Sequence, residues 1–440
     1  MAIWNAQYET MERTELARLQ LDRLKHAVAY MYERVPFYHQ SLDEAGIDPY
    51  KIRILSDVRH LPFTTKDDFR TNYPYGLFAV PLDEVVRIHS SSGTTGKPVV
   101  VGYTTNDLET WAELCARFIT AAGAVPSDIA QVAFGYGMFT GGFGLHYGLE
   151  KVGITVVPHS AGNTARQIQF MQDFGTTVLV ATPSYALYLG EILAKRGNDM
   201  SRFKLRIGLF GAEACSESMR RQIEARLPIR ATDNYGLTEV MGPGVAGECE
   251  QRCGQHVAED HFVMEVIDPE TGEPVGEGEV GELVFTSLTK EAAPVLRYRT
   301  RDLTTVTYER CECGRTTARL GKFRGRTDDM FIVSGVNVFP STIESVLFEM
   351  DGTEPHYQIL LERKGGRDTF EVRVEVTEQV FNGWQDDLVA FERKVTEELR
   401  SVLLVRPKVK LVEPGSLERT TGKSKRVIDQ REAAEGPQVS

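Results

Sequence analysis

The sequence predicts an α/β protein: a large N-terminal domain with mostly parallel sheets plus a β-rich subdomain, followed by a small α+β C-terminal domain. Three observations predict it. Between residues 98 and 240, short β-branched runs alternate with helical ones, the pattern of a largely parallel sheet. From 262 onward the helices stop, and strand-like runs are punctuated by turn residues, as in HFVMEVIDPETGEPVGEGEVGELVFTSL. After GRTDDMFIVSGVNVFP both kinds of segment return in a compact unit, and the boundary is placed at Asp328, dividing 1–327 from 328–440.

The elements follow in order. ELARLQLDRLKHAVAYMYERV sets Leu16, Leu19, Leu24 and Val28 near helical spacing, and Pro36 ends the run. In the alternating region PVVVGY, IAQVAF, GITVVP, TVLVAT and LRIGLF read as strands, with DLETWAELCARFITAAG, ARQIQFMQDF and YALYLGEILAKRG as helices between them. The C-terminal unit reads as strands YQILLER and FEVRVEVTE, helix DDLVAFERKVTEELRSVLL and strand KVKLVEP, with the polar tail REAAEGPQVS expected to fray.

With 440 residues, 42% hydrophobic and 25% charged, the chain can fill two domains or more. A net charge of −12 argues against broad binding of nucleic acid or anionic membranes, so small-molecule partners are expected. The charged start lacks the apolar centre of a signal peptide, and no run of about 18 apolar residues occurs. A cytoplasmic location is expected. The six cysteines, Cys115, Cys215, Cys249, Cys253, Cys311 and Cys313, are too few and too scattered for a disulfide scaffold. The last four point to metal. Cys311 and Cys313 are spaced to share a soft cation, and Cys249 with His256 would complete a tetrahedral shell for structural zinc, with Cys253 the substitute for His256. The alternative is that all are ordinary reduced cysteines.

SSSGTTGK, at 90 to 97, reads as a phosphate cradle but not as a P-loop: Ser91 stands where the first glycine is needed, and Pro98 where a Ser or Thr would hold magnesium. Taken alone, the stretch is equally a polar turn. FGYGMFTGGFGLHYG, at 134 to 148, is rich in glycine and aromatics and suits a flat apolar ring, with Tyr136 and Phe143 as ring contacts. A glycine-facilitated packing contact is the plain alternative there, for Phe143 and Tyr147 above all.

Five further segments line up with SSSGTTGK: FGAEAC at 210 to 215, DNYGLTEVMGPG at 233 to 244, YRTRDL at 298 to 303, GRTDDMFIVSGVNVFPSTIE at 325 to 344 and LERTTGKSKRV at 417 to 427. Together they resemble the adenylate-forming superfamily of acyl- and aryl-CoA synthetases, adenylation domains and luciferase. MGPGVAGEC and SLTKEAAPVLRYRTRDL are most similar to its aryl-acid branch. The chemistry accounts for the residue types. A carboxylate is a poor acyl donor, so AMP is attached to it and a thiol then displaces AMP. Negative charge gathers between carboxylate, α-phosphate and departing diphosphate, where N–H groups, hydroxyls, a cation and magnesium are most effective.

The resemblance implies roles for particular residues. Ser91, Ser92, Thr94 and Thr95 would wrap the β- and γ-phosphates, with Gly93 and Gly96 permitting close approach. Gly211, Ala212 and Glu213 would line the purine side, Asn234 and Gly236 the nucleotide, and Gly236 the acid as well. Tyr235 would stack on adenine, Thr238 would bond the α-phosphate and Glu239 would ligate Mg2+. Asp302 would accept both ribose hydroxyls, with Arg326 assisting at ribose and phosphate. Lys423 would supply charge in adenylation, while Lys425 and Arg426 are read as solvated cations. Asp328 would be the hinge of a mobile C-terminal domain, and Gly335, Val336 and Asn337 would face coenzyme A. The implied activity is ATP-dependent ligation of an aromatic acid, phenylacetate first among them, to coenzyme A by a homodimer. Adenylation of a benzoate-type acid for a carrier protein's phosphopantetheine, or a noncatalytic binding protein of the same fold, are the alternatives.

Overall fold

The computed structural model describes residues 1–91, 97–197, 199–333, 336–364, 367–418 and 426–431, with backbone alone for Lys364 and Arg367. The chain divides into two compact units, Met1–Cys215 with Ile223–Phe323, and Ser216–Gln222 with Arg324–Ser440. Among the described residues no helix is long and apolar enough to cross a membrane.

The first unit opens with helices α1 (Ala6–Glu9), α2 (Arg13–Arg34), α3 (Pro36–Glu44) and α4 (Lys66–Thr71). On α2, Leu16, Leu24 and Val28 are wholly buried, as their spacing predicts, whereas Leu19 is half-buried. Pro36 ends that helix and begins the next, its fixed φ suiting the first helical position. Strands β1 (Arg87–Ser90) and β2 (Val100–Tyr103) then pair antiparallel.

Alternation follows: α5 (Thr105–Ala121), β3 (Ile129–Val132), α6 (Thr140–Val152), β4 (Thr155–Val157), α7 (Thr164–Asp173), β5 (Val178–Ala181), α8 (Pro183–Lys195), β6 (Ile207–Phe210), α9 (Glu217–Arg226) and β7 (Arg230–Leu237). Strands β4, β3, β5, β6 and β7 lie side by side and parallel. Every residue of β5 and β6 is buried, as parallel strands covered on both faces require. The sheet continues antiparallel through β8 (Gly242–Glu248), β9 (Gln255–Val257), β14 (Arg319–Leu320) and β13 (Val306–Thr307), so β7 joins a parallel half to an antiparallel half. The β-rich segment adds an antiparallel set, β10 (Phe262–Ile267), β11 (Gly281–Ser287) and β12 (Tyr298–Thr304).

Two local devices bear on the site. Thr104 caps α5 by accepting from Asp107 N–H, and the Asp107 carboxylate accepts from Glu291 and Ala292 N–H, pinning that loop to the helix start. The stretch 134–148 is in part a helix, α6, which glycine content disfavours. Tertiary packing overrides the propensity. A Cβ on Gly144 would lie 2.5 Å from Trp111, and one on Gly148 2.3 Å from Cys115, both on α5. These two glycines serve a helix–helix contact.

The second unit holds β15 (Gly325–Arg326), the hairpin β16 (Phe331–Val333) and β17 (Val336–Val338), then α10 (Pro340–Glu349), β18 (Thr353–Lys364), β19 (Arg367–Val376), α11 (Glu378–Phe381), α12 (Gln385–Leu403), β20 (Lys408–Val412) and β21 (Val427–Asp429). Its sheet runs β20-β19-β18-β21, antiparallel at the centre and parallel at both edges. Helices α10 and α12 pack beside it, burying Ile343, Leu347, Val395 and Leu399 completely.

Candidate active site

In an open parallel sheet, ligands are met beyond the carboxyl ends of the strands. Here β6 runs into Gly211–Glu213 and β7 ends in Asn234–Leu237, followed by Thr238 and Glu239. Adjacency on the sheet therefore unites motifs that lie apart in the chain. Tyr235 donates from its hydroxyl to Asp302 Oδ2 at 2.6 Å, bridging β7 and β12. Phe323, which no sequence signal singled out, stacks on Tyr235 with centroids 4.5 Å apart and planes at 17°. Gly236 has no room for a side chain, since a Cβ would fall 1.9 Å from Gly242 O where the β7–β8 register shifts. Thr238 is half-buried and Glu239 is buried.

Other predicted residues have structural duties as well. Asn234 Nδ2 donates to Phe210 O, tying β7 to β6. Glu213 Oε1 accepts from Ser184 N–H at 2.7 Å, in the first turn of α8, so its carboxylate is engaged within the fold. Ala212 there takes a left-handed φ of 70°, an uncommon state for a residue with a Cβ.

Tyr136 and Phe143 meet edge to face at 5.3 Å, and Phe143 stacks with Tyr147 at 6.3 Å. The Tyr136 hydroxyl is hydrogen-bonded to His146 Nδ1 at 3.0 Å, and His146 Nε2 to Glu150 at 3.1 Å. Burial pushes the Tyr136 phenol well above its usual range. Arg87 lies over both Phe143 and Tyr147, at 5.2 and 4.8 Å from their centroids, and donates to the Tyr147 hydroxyl at 3.1 Å. An arginine six residues before the first glycine of the phosphate motif gives no periodic signal, which is why the sequence did not disclose it.

Of the expected phosphate loop, Ser91 is described, whereas Ser92, Gly93, Thr94, Thr95 and Gly96 lie outside the described residues. The base of the stretch is closed: Ser91 N–H donates to Val99 O and Val99 N–H to Ser91 Oγ, each at 2.9 Å. Lys423, Lys425 and Gly335 also lie outside the described residues. Arg426 corrects its expected role as a solvated cation. It pairs with Glu344 at 3.0 Å, lies 4.4 Å from the Tyr357 centroid, and its carbonyl accepts from Ile359 N–H. Strand pairing of β21 with β18 brings the arginine inward. Arg326 and Asp328 form a two-bond ion pair at 2.8 and 3.0 Å, joining the expected nucleotide contact to the expected hinge. Val336 and Asn337 open β17, with Asn337 exposed.

The cysteine segments converge. One ligand atom from each of Cys249, His256, Cys311 and Cys313, all buried, lies within 4.8 Å of the other three. Cys249 and Cys311 sulfurs are 3.8 Å apart, and Cys313 Sγ is 3.4 Å from His256 Nε2. His256 Nδ1 is 3.2 Å from Thr317 Oγ1, which fixes the ring. Cys253 is exposed, 3.5 Å from Cys311, and receives a hydrogen bond from Arg319 at 2.8 Å. Its hydrogen bonds with Cys249 and, after that, His256 hold the Cys313 thiol well below its ordinary range, while burial pushes Cys311 up to about 11. Arg315, almost wholly buried, donates to Glu9 of α1 and to Ala2 O. Sequence spacing gave no sign of these links.

The model of the AMP-binding enzyme family matches residues 18–289, and that of the AMP-binding enzyme C-terminal domain matches 335–431. The chain belongs to the AMP-binding enzymes, the adenylate-forming class that the strand-end motifs define. It is 50% identical over 443 residues to phenylacetate-coenzyme A ligase of Thermus thermophilus, across 98% of this chain and 100% of that protein. With phenylacetate-coenzyme A ligase of Escherichia coli it shares 48% over 425 residues, across 96% and 97% of the two chains. The crystal structure of 2-hydroxyisobutyryl-CoA ligase in the postadenylation state, in complex with R3-HIB-AMP, superposes with a TM-score of 0.91 at 30% identity, covering 97% of this chain and 92% of that one.

Proposed function

We propose that the chain joins phenylacetate to coenzyme A in two half-reactions. Phenylacetate attacks the α-phosphate of ATP to give phenylacetyl-AMP and diphosphate; the coenzyme A thiol then displaces AMP. The observation that carries this choice of acid is the likeness to phenylacetate-coenzyme A ligases along the whole chain.

The geometry supports the parts. Tyr235, steadied by Phe323, offers a ring to adenine beside the Gly211–Glu213 main chain, and Asp302 next to it takes the ribose hydroxyls. Ser91 and the residues up to Thr95 hold the departing phosphates, and Thr238 bonds the α-phosphate. Glu239, a hard oxygen donor beside that position, would hold magnesium, which supplies positive charge to the phosphate oxygens. Tyr136 and Phe143 wall the ring of the acid. Lys423 provides charge in adenylation, Arg326 assists at ribose and phosphate, Asp328 is the hinge, and Gly335, Val336 and Asn337 face coenzyme A.

Cys249, His256, Cys311 and Cys313 form a four-ligand shell suited to structural zinc, with Cys253 set aside on Arg319. Three thiolates and a dication leave one negative charge, near which Arg315 lies buried in its pair with Glu9. Incubating arylacetates and benzoates with ATP, with and without coenzyme A, tests the reading by mass spectrometry. Phenylacetyl-AMP and phenylacetyl-CoA are expected; acyl-AMP from benzoates alone, or no thioester with coenzyme A, would overturn it.

A further inference from the structure

His89 stands immediately before SSSGTTGK, is 2% exposed, and has no role in the reaction as described so far. One carbonyl, Met138 O, receives two hydrogen bonds from this point of the chain. His89 Nδ1 approaches it at 3.0 Å and Ser90 N–H donates to it at 2.9 Å. Because a carbonyl only accepts, Nδ1 must carry the proton, and Nε2 is left with a buried lone pair that has no partner among the described residues. Burial, with the charges of Arg87 and Lys290 adding to it, holds the ring neutral, its pKa lowered to about 4. A buried ring fixed in one tautomer by a main-chain carbonyl invites a task beyond packing.

The surroundings supply one. The His89 ring lies edge-on to Tyr103 and Trp111 at 5.5 and 5.6 Å, and 5.6 Å from Phe143. Tyr103 donates to Met241 O at 2.8 Å and Trp111 to Pro243 O at 2.9 Å, just past Thr238 and Glu239. Lys290, itself 4% exposed, sits 3.7 Å from the Tyr103 centroid. His89 therefore touches, directly or through one ring, the root of the phosphate loop, the Tyr136–Phe143 wall and the turn after Glu239.

We propose that His89 is a positioning residue that couples occupancy of the acid pocket to the orientation of Ser90 and Ser91 at the root of the phosphate motif, through the Met138 carbonyl shared by its ring and Ser90. The proposal rests on the assignment of those two regions to acid and phosphates. An aromatic acid pressing on Phe143 and the 136–138 main chain shifts the carbonyl that orients Ser90. By reciprocity, bound phosphates stiffen the wall that the acid meets.

The test measures phenylacetate binding to the full chain by calorimetry, with and without α,β-methylene-ATP, whose carbon bridge prevents transfer of AMP to the acid. Wild type should bind the acid about tenfold more tightly when the nucleotide analogue is present, a factor within the usual range of coupling between sites. His89→Asn keeps a donor near the Nδ1 position and should retain most of that factor. His89→Gln places its polar end near Nε2 and should reduce the factor to about two, with each ligand alone bound nearly as in wild type. Equal factors in the Asn and Gln variants at matched melting temperature would overturn the proposal, because a merely structural ring predicts equal damage. If the Gln variant does not fold, amide exchange of wild type decides: phenylacetate alone should slow exchange at residues 88–101, and no change there overturns the coupling. Wild type that makes phenylacetyl-AMP yet shows a factor of one refutes the coupling alone, whereas wild type that makes no phenylacetyl-AMP refutes the functional reading beneath it.

Discussion

Replacing Tyr235 by Phe removes one oxygen and leaves the ring in its stack on Phe323. What is lost is the 2.6 Å bond to Asp302 Oδ2. A hydrogen bond to a charged group contributes about 1.5–3 kcal/mol, but both residues are only half-buried, so water replaces part of it and about 1 kcal/mol is lost. At 1.4 kcal/mol per tenfold, the KM for ATP should rise about fivefold. On the proposed reading the bond lies at the nucleoside, away from the reacting phosphate, so kcat should stay within about twofold. Diphosphate exchange with ATP varied at saturating phenylacetate reads both constants. In an Asp302→Ala background the same change should have no further effect on KM, since the partner is gone. A fall confined to kcat, or an additive rise in KM in the double variant, would refute the placement of this pair at the ribose and base.

Lys423→Ala should cost adenylation about 100-fold or more, as expected when a charge aimed at a developing anion is removed, while thioester formation from supplied phenylacetyl-AMP suffers far less; equal losses in both assays would exclude the role. Cys311→Ser with Cys313→Ser should release zinc and lower the melting temperature, with activity lost first as weaker ATP binding. Elemental analysis of chelator-free wild type giving less than about a tenth of an equivalent would rule out the site. Burial lowers the Lys290 pKa from 10.5 to about 8. Between those values the unfolded chain holds the proton that the folded chain has released, so stability should rise with pH from about 8 towards 10, and Lys290→Met should flatten the rise in denaturant titrations. A slope unchanged in the variant would assign the proton elsewhere.

The alternating strands and helices were legible because β-branched runs such as VLVA and IGLF have no competing period. Tyr235 and Asp302 were singled out by resemblance, but their hydrogen bond was not legible, since no spacing rule says that residues 67 apart in the chain meet. The helix through TGGFGLHYG was hidden, because its glycines lower propensity and only the facing surface of α5 explains them. Phe323, Arg87, His146 and Arg315 were missed for a shared reason. Each acts by leaning on a residue that was found, and support of that kind leaves no periodic trace. Arg426 looked solvated in a run of cations, and it took the pairing of β21 with β18 to turn it towards Glu344.

The close approach of α6 to α5 has a consequence for anyone who wishes to change the acid. With Gly144 and Gly148 already at backbone distance from Trp111 and Cys115, the helix bearing Phe143 and Tyr147 has nowhere to retreat. A bulkier substrate cannot be admitted by letting that wall breathe outward. If Tyr136 and Phe143 wall the acid as proposed, selection for such substrates should therefore accumulate trimmed side chains at those two positions and leave the two glycines untouched. Libraries that randomise the whole stretch would spend most of their members on chains that do not fold.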